Sequence, residues 1–321
     1  MKEDTIYDVI ILGAGAAGLA AGIYTSRAKL STLILNEGTP GGQLVLTHEI
    51  ANYPGVESTS GYQLGNIMRN QARSFGCKIK SNLHITAVDL KNKTKTVEVN
   101  GKDTYAAHTV ILAPGGRPRM LNVPGEEGLK GKGISYCATC DGDFFQDKEI
   151  IVVGGGNSAL EEAVSLTKYA SKVTIVHQFD HFQGFEHAIR NARENEKIEF
   201  EMESMIQEFI GTENLEAARV KNMRTGEEKV INVEGTFIFI GYVPNTAFFK
   251  DVVELNEYGE LLTDERMKTN IPGVFAAGDS IKKPYRQVTT AVADGTIAAL
   301  SAAEYVNDLK RKQKDLSEAK T

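Results

Sequence analysis

Short apolar runs that stop at glycine recur along the chain, and a helical pattern follows them. Ile6–Leu12 is one continuous run closed by Gly13-Ala14-Gly15-Ala16-Ala17-Gly18, after which Leu19, Ala20, Ile23 and Tyr24 fall at helical spacing. A run without alternation reads as a strand buried on both faces, and a switch to a period of about 3.6 reads as a helix. A second strand is expected over 31–35, ending at Asn36-Glu37. The order repeats later. A strand over 149–153 opens into Gly154-Gly155-Gly156-Asn157-Ser158-Ala159, a helix is expected over 160–170, and a strand over 172–176 ends at His177.

The rest of the pattern fills in around these two units. An amphipathic helix is expected over 62–75, strands with polar turns over 79–100, and a buried strand over 109–112 that ends at Ala113-Pro114-Gly115-Gly116. Strands follow over 237–240 and 274–279, with a small strand pair over 260–270 and a helix over 287–307. The charged tail from Asp308 is expected to fray. Arg117-Pro118-Arg119 and the loop through Pro124-Gly125-Glu126 mark a change in composition of the kind found at a domain boundary.

Composition adds limits. At 321 residues the chain suits two domains, each large enough for its own core. With 41% hydrophobic and 24% charged residues and a net charge of −6, nothing global points to nucleic acid or an anionic membrane. Three cysteines do not make a secreted disulfide scaffold. Met1-Lys2-Glu3-Asp4 leads straight into a strand with no signal-peptide core, and no apolar run approaches the ~20 residues of a membrane span. A cytoplasmic location is expected.

The densest chemistry lies in Ser135-Tyr136-Cys137-Ala138-Thr139-Cys140-Asp141-Gly142-Asp143. Two thiols at this spacing can close into a readily reduced disulfide, and an acid beside the second can pass a proton to the departing thiolate. The same thiols could form half a zinc site, but only Cys77 remains as a further soft ligand. No metal is expected. They could also be buried and inert, which the acids at 141 and 143 argue against. The first glycine turn, with Gly13, Gly15 and Gly18, has the order that seats a pyrophosphate on free backbone N–H groups. Glu37 stands near the offset expected for a ribose-binding carboxylate. Gly41-Gly42 would let backbone approach a flat ring, and Asp279, in the turn after Ala276, would hold a ribitol or phosphate hydroxyl.

Taken together in order and spacing, GAGAAG, GGQL, ANYPG within 49–55, CATCDG, GGGNSA, IGYVPNT, AAGD and the YRQ from Tyr285 resemble the low-molecular-weight flavoprotein thioredoxin reductases over nearly the whole chain. The resemblance implies an α/β protein with two Rossmann-like, three-layer β/β/α domains. Residues 1–117 and 246–321 would form the FAD domain, and an NAD(P)-like domain over 118–245, carrying the C-x-x-C, would be inserted into it. It implies a homodimer that acts on thioredoxin. Cys140 would face the flavin, Cys137 would attack the thioredoxin disulfide, and Asp141 would be the general acid. Gly13, Gly15, Ala16, Gly18, Glu37, Gly42, Gln43, Asn52, Ala113, Gly115, Gly278, Asp279, Arg286, Gln287 and Val288 would hold FAD. Pro114 stands where the family usually has Thr, which removes a backbone donor.

The second domain departs from the family. NADPH-using members follow their second strand with HRRxxxR, whose arginines grip the 2′-phosphate. Here the stretch reads His177-Gln178-Phe179-Asp180-His181-Phe182-Gln183, with no arginine. Gly154, Gly156, Asn157, Ser158, His177 and Gln178 would then be a vestigial nucleotide site. The departure resembles the ferredoxin-dependent flavin thioredoxin reductases, so ferredoxin is the expected donor and NADH the next. Lys282, Lys283 and Arg286 are candidates for meeting an acidic ferredoxin, and Arg190 and Arg193 for binding NADPH in another way. A flavin-dependent dithiol oxidase and a non-enzymatic flavin redox sensor are the alternative functions. The dithiol has to meet both flavin and protein substrate, so rotation about 117–118 and 242–244 is expected.

Overall fold

The computed structural model describes residues 6–47 and 50–318 of the chain. Residues 48–49 and the terminal residues 1–5 and 319–321 lie outside the described residues. Two compact units are present, Met1–Arg117 with Val243–Thr321, and Pro118–Tyr242.

In the first unit β1 (Ile6–Leu12), α1 (Ala16–Arg27) and β2 (Thr32–Leu35) form a parallel βαβ unit. Gly13, at φ 108°, makes the turn between strand and helix, where a Cβ would lie 2.1 Å from the Ala113 carbonyl oxygen. A loop and α2 (Gly61–Ser74), N-capped by the Ser60 hydroxyl, lead to β3 (Lys78–Lys80). An antiparallel extension follows, β4 (Ile85–Asp89), β5 (Lys95–Val99) and β6 (Asp103–Leu112). The long β6 pairs β1 on one side; on the other its first half pairs β5 and its last three residues pair β17 (Val274–Ala276). The strand order is therefore β3-β2-β1-β6-β5-β4 with β17 beside β6. Alternate residues serve the two faces. Val9, Ile11, Ile34 and Ile111 pack with α1 and α7 (Val288–Glu318), whereas Ile10, Leu12, Leu33 and Leu35 pack with Leu83, Val97 and Phe249.

In the crossing segments β7 (Gly116–Pro118) pairs with β16 (Tyr242–Pro244) as a two-stranded ribbon. Between them lie α3 (Glu126–Leu129), β8 (Ile134–Ser135), α4 (Ala138–Asp141), β9 (Glu149–Val153), α5 (Asn157–Leu166), β10 (Lys172–Val176), α6 (Glu186–Arg193) and β11 (Ile198–Glu201). An antiparallel sheet of β12 (Ser204–Gly211), β13 (Leu215–Asn222) and β14 (Glu228–Asn232) precedes β15 (Gly235–Ile238). The parallel sheet runs β11-β10-β9-β15-β8. One of its faces packs Ile150, Val152, Val173 and Phe237 against Leu160, Ala163 and Ala188 of α5 and α6. The other packs Ile151, Val153 and Ile238 against Ile206, Phe209, Ala218 and Val220 of the antiparallel sheet. This gives the three-layer β/β/α arrangement.

Three expectations need correction. The stretch 260–270 is not a strand pair; it makes isolated bridges only, Leu255 to Leu261, Leu261 to Ile281 and Lys268 to Phe275. The second helix begins at Asn157 and ends at Leu166, because the polar residues after a glycine turn are already helical while 167–170 close a turn. The tail does not fray at Asp308: α7 continues to Glu318, and the Lys310 ammonium pairs with the Asp8 carboxylate at 2.7 Å. Among the described residues, no helix is long and apolar enough to cross a membrane.

Gly295 of α7 lies so close to α1 that a Cβ there would sit 2.1 Å from the Ala17 carbonyl oxygen. Gly295→Ala is expected to lower stability by about 3 kcal/mol, since neither helix backbone can yield without repacking. Gly128→Ala, where a Cβ meets nothing within 4 Å, should change it by less than ~1 kcal/mol. Urea midpoints at unchanged m-value compare the two.

Candidate active site

Parallel strands deliver their following loops to the carboxyl edge of the sheet, and β8 does this for the C-x-x-C. Ser135 is its last residue, and Cys137 and Cys140 are joined as a disulfide with Cα atoms 5.3 Å apart. Cys140 N and Asp141 N both donate to the Cys137 carbonyl, at 3.3 and 3.2 Å, which winds the loop into α4. Both sulfur-bearing residues are half-buried. The buried Ser135 donates its hydroxyl to Asp141 Oδ2 at 2.5 Å and accepts from Cys137 N at 3.1 Å. Burial holds the Asp141 carboxyl above the usual carboxylate range; the Ser135 hydrogen bond opposes this and the charge of Asp143 adds to it.

Glu126 anchors the other side of the loop. It is 1% exposed, yet its carboxylate accepts from Leu121 N at 3.0 Å, Asn122 N at 2.6 Å and the Tyr136 hydroxyl at 2.8 Å. A buried carboxylate with three donors is a firm tether, and it fixes the residue directly before Cys137. The only sequence signal of Glu126 is an acid two residues after Pro124 in a turn. Cys77 has no part here. It is buried in the first unit, with its thiol pushed up to about 11 by burial. No cluster of metal-binding side chains occurs among the described residues.

At the same edge of this sheet, Gly154 turns at φ 137°, where a Cβ would meet the Phe239 carbonyl oxygen at 2.4 Å. The His177 ring covers Gly155, leaving a Cβ there only 2.3 Å from its Cε1. Burial lowers the pKa of His177, its Nε2 lies 3.1 Å from the His181 carbonyl, and its ring stacks on Phe182 at 5.6 Å. Gln183 N donates to the Gly155 carbonyl at 2.8 Å, and Phe185 N to Asn157 Oδ1 at 2.6 Å. Gly156 meets open space and Ser158 is exposed, as are Gln178, Phe179 and Gln183 at the arginine positions of the HRRxxxR pattern. Arg190 and Arg193 occupy the last turn of α6. That helix runs back along the sheet to the start of β11, so both lie toward the edge opposite the glycine turn. Arg224, whose charge acts on Asp180, is paired with Glu203 at 3.2 Å.

In the first unit, the ends of β1, β2, β6 and β17 bring Gly13–Gly18, Asn36, Ala113–Gly115 and Gly278–Asp279 to one carboxyl edge. Ala16 opens α1. Gly15 faces open space, a Cβ on Gly42 would lie 3.0 Å from the Gly15 Cα, and Gly18 packs against the Gly13 carbonyl. Asp279 is half-buried, and its buried Oδ1 has no hydrogen-bond partner among the described residues. Burial raises its pKa, opposed by Lys283 and Arg286. An orphaned carboxylate oxygen beside an open glycine cradle suits a polyhydroxylated diphosphate such as FAD. Asn52 Nδ2 donates to Gln287 Oε1 at 3.3 Å, and Val288 begins α7 just after it. Gln43 is exposed in the same loop as Gly42. Pro114, which lacks an N–H, uses its carbonyl to accept from Asn245 Nδ2 at 3.1 Å.

Glu37 is not in this cluster. Its Oε1 accepts from Ile85 N and meets His84 Nδ1, both at 3.0 Å, so it secures the start of β4. The side chain that meets the glycine turn is Asn36, 8% exposed, whose Oδ1 accepts from Ala14 N at 2.9 Å. Period-two alternation gives this away, since 32, 34 and 36 share the face toward α1. The expected cationic patch is also largely absent. Lys283 is ion-paired with Asp294 and Arg286 with Glu260, all partly buried, which leaves Lys282 exposed.

Residues 7–295 match the family described as pyridine nucleotide-disulphide oxidoreductase. A thioredoxin reductase of Peptoclostridium acidaminophilum is 47% identical over 310 residues, 94% of this chain and 98% of that one. One from Listeria monocytogenes is 45% identical, over 96% of this chain and 97% of that one. The crystal structure of thioredoxin reductase from Streptococcus pyogenes superposes with a TM-score of 0.90 at 38% identity, covering 95% of this chain and all of that one.

Proposed function

This chain belongs to the pyridine nucleotide-disulphide oxidoreductase family, and from there we propose that it reduces the disulfide of thioredoxin through Cys137 and Cys140, with electrons from a donor other than NADPH. It is an enzyme of the flavoprotein class, with FAD as cofactor. Bound FAD supplies storage for two electrons and a surface from which the disulfide can be reduced. Gly13, Gly15, Ala16, Gly18, Asn36, Gly42, Gln43, Asn52, Ala113, Gly115, Gly278, Asp279, Arg286, Gln287 and Val288 are the residues that would hold it.

The steps belong to the side chains. Opening the Cys137–Cys140 disulfide takes two electrons and one proton and leaves one thiol and one thiolate. Asp141, whose carboxyl burial shifts upward, gives that proton. The Cys137 thiolate attacks the thioredoxin disulfide, which forms a mixed disulfide and releases one thioredoxin thiolate. Cys140 then attacks Cys137 Sγ, reforms the intramolecular disulfide and frees the second thioredoxin sulfur. The pair must meet flavin and protein in turn, and the β7–β16 ribbon, a single short pairing of the two crossing segments, is the hinge on this reading. Two copies acting together would cover Tyr62, Ile67, Ile297 and Leu300, which are exposed apolar residues of the first unit.

One observation carries the donor. Gln178, Phe179 and Gln183 stand where phosphate-gripping arginines would, and the nearby arginines are either ion-paired or toward the far edge of the sheet. Charged hydrogen bonds contribute about 1.5–3 kcal/mol each. Two or three missing ones weaken NADPH on the order of a thousandfold. Ferredoxin is the favoured donor, a one-electron carrier that needs no nucleotide site, and NADH comes next.

Two expected outcomes follow. Under anaerobic conditions, reduced ferredoxin should bleach the bound flavin rapidly and micromolar NADPH should not; full bleaching by NADPH at that level would reverse the donor assignment. Asn36→Ala should loosen FAD by about tenfold, as expected for one lost hydrogen bond near the cradle. Glu37→Gln should leave FAD affinity unchanged. Flavin retained after gel filtration, together with the dissociation constant of apoprotein reconstitution, measures both.

A further inference from the structure

Ser135 is buried at the end of the edge strand β8, and three groups converge on its hydroxyl. It donates to Asp141 Oδ2 at 2.5 Å, accepts from Cys137 N at 3.1 Å, and lies 3.4 Å from the Cys137 carbonyl oxygen. A serine hydroxyl has a single proton, so while Asp141 is ionised that proton is committed to Oδ2. Of the two Asp141 carboxylate oxygens, Oδ2 is the one that Ser135 holds.

We propose that Ser135 is the positioning residue of the proton transfer: it holds Oδ2, ties the carboxyl to the backbone of Cys137, and leaves Oδ1 to exchange the proton with sulfur. This rests on the reading of Asp141 as general acid. When the Cys137 thiolate has attacked a substrate disulfide, the Cys140 thiol must lose its proton as its sulfur attacks Cys137 Sγ. Asp141 Oδ1 accepts that proton, the intramolecular disulfide forms, and the substrate sulfur leaves as thiolate. Opening of the disulfide runs the proton the other way. The hydroxyl serves both directions, because it can turn from Oδ2 toward the Cys137 carbonyl. Its donation favours the carboxylate, whereas burial and Asp143 favour the acid. Without it, Asp141 should bind its proton more tightly and lose it only at higher pH.

The test compares Ser135→Ala, Ser135→Thr and Asp141→Asn as FAD-loaded proteins. Two quantities are followed against pH: thioredoxin-reducing turnover, and the alkylation rate of each cysteine in the chemically reduced protein, read by mass spectrometry. Ser135→Ala should slow turnover by about tenfold and move the pH limb set by Asp141 upward in both readouts. Ser135→Thr, which keeps the hydroxyl, should restore the original limb. Asp141→Asn should abolish it. If Ser135→Ala does not fold, Ser135→Gly takes its place. A Ser135→Ala protein that is slow but keeps the original limb overturns the proposal, since loss of packing alone would do that. An Asp141→Asn protein with unchanged rate and limb would instead overturn the general-acid reading itself.

Discussion

A strand in a parallel sheet exchanges hydrogen bonds with its neighbours to its last residue, and the chain must then turn away sharply so that a helix can return along the sheet. That constraint shapes both units of this protein. At Gly13 and Gly154 the turn brings backbone so close to a neighbouring carbonyl oxygen, 2.1 and 2.4 Å from where a Cβ would stand, that a side chain has no room. It also leaves unpaired N–H groups at the start of the next helix, pointing outward at the carboxyl edge. Everything chemical in the molecule sits at such an edge. In the first unit the edge gathers the glycine cradle, Asn36 and Asp279. In the second it gathers the glycine turn, His177 and the disulfide.

The edge strand β8 uses the constraint differently. It is only Ile134–Ser135, paired along one side to β15, and no long helix follows it. The loop beyond is held instead by side chains, with Ser135 on one flank and Glu126, through Tyr136, on the other. A disulfide mounted this way has a backbone held on both flanks, and both of its cysteines are half-buried. That suits a group which must present one face to a cofactor and another to a protein. Asp141 lies beside it, half-buried and held by the Ser135 hydroxyl.

Where a mostly apolar run meets a glycine turn, the sequence is legible to the residue: Ile6–Leu12 and Glu149–Val153 are strands as read, and so is Lys172–Val176, which ends at His177. The C-x-x-C announced itself by spacing and by the acid after it. Other features were hidden for physical reasons. Distance from the glycine turn singles out Glu37, but distance ignores the alternation that points it to the opposite face and hands the turn to Asn36. Lys283 and Arg286 read as free charge, because a sequence does not reveal the Asp294 and Glu260 that neutralise them. The 260–270 stretch is mostly charged and polar after Leu261-Leu262, a poor composition for a strand, and makes isolated bridges only. The antiparallel β12–β14 sheet carries no motif and was not anticipated; its role is to cover the second face of the parallel sheet.

The most direct test of the central claim, that Cys137 and Cys140 form an electron relay distinct from the flavin, is an anaerobic reductive titration of the FAD-loaded protein. Dithionite uptake is compared with that of the Cys137→Ser, Cys140→Ser double variant. The native chain should take up about twice as many electrons as the variant, one pair for the flavin and one for the disulfide. Equal uptake by the two proteins would contradict it.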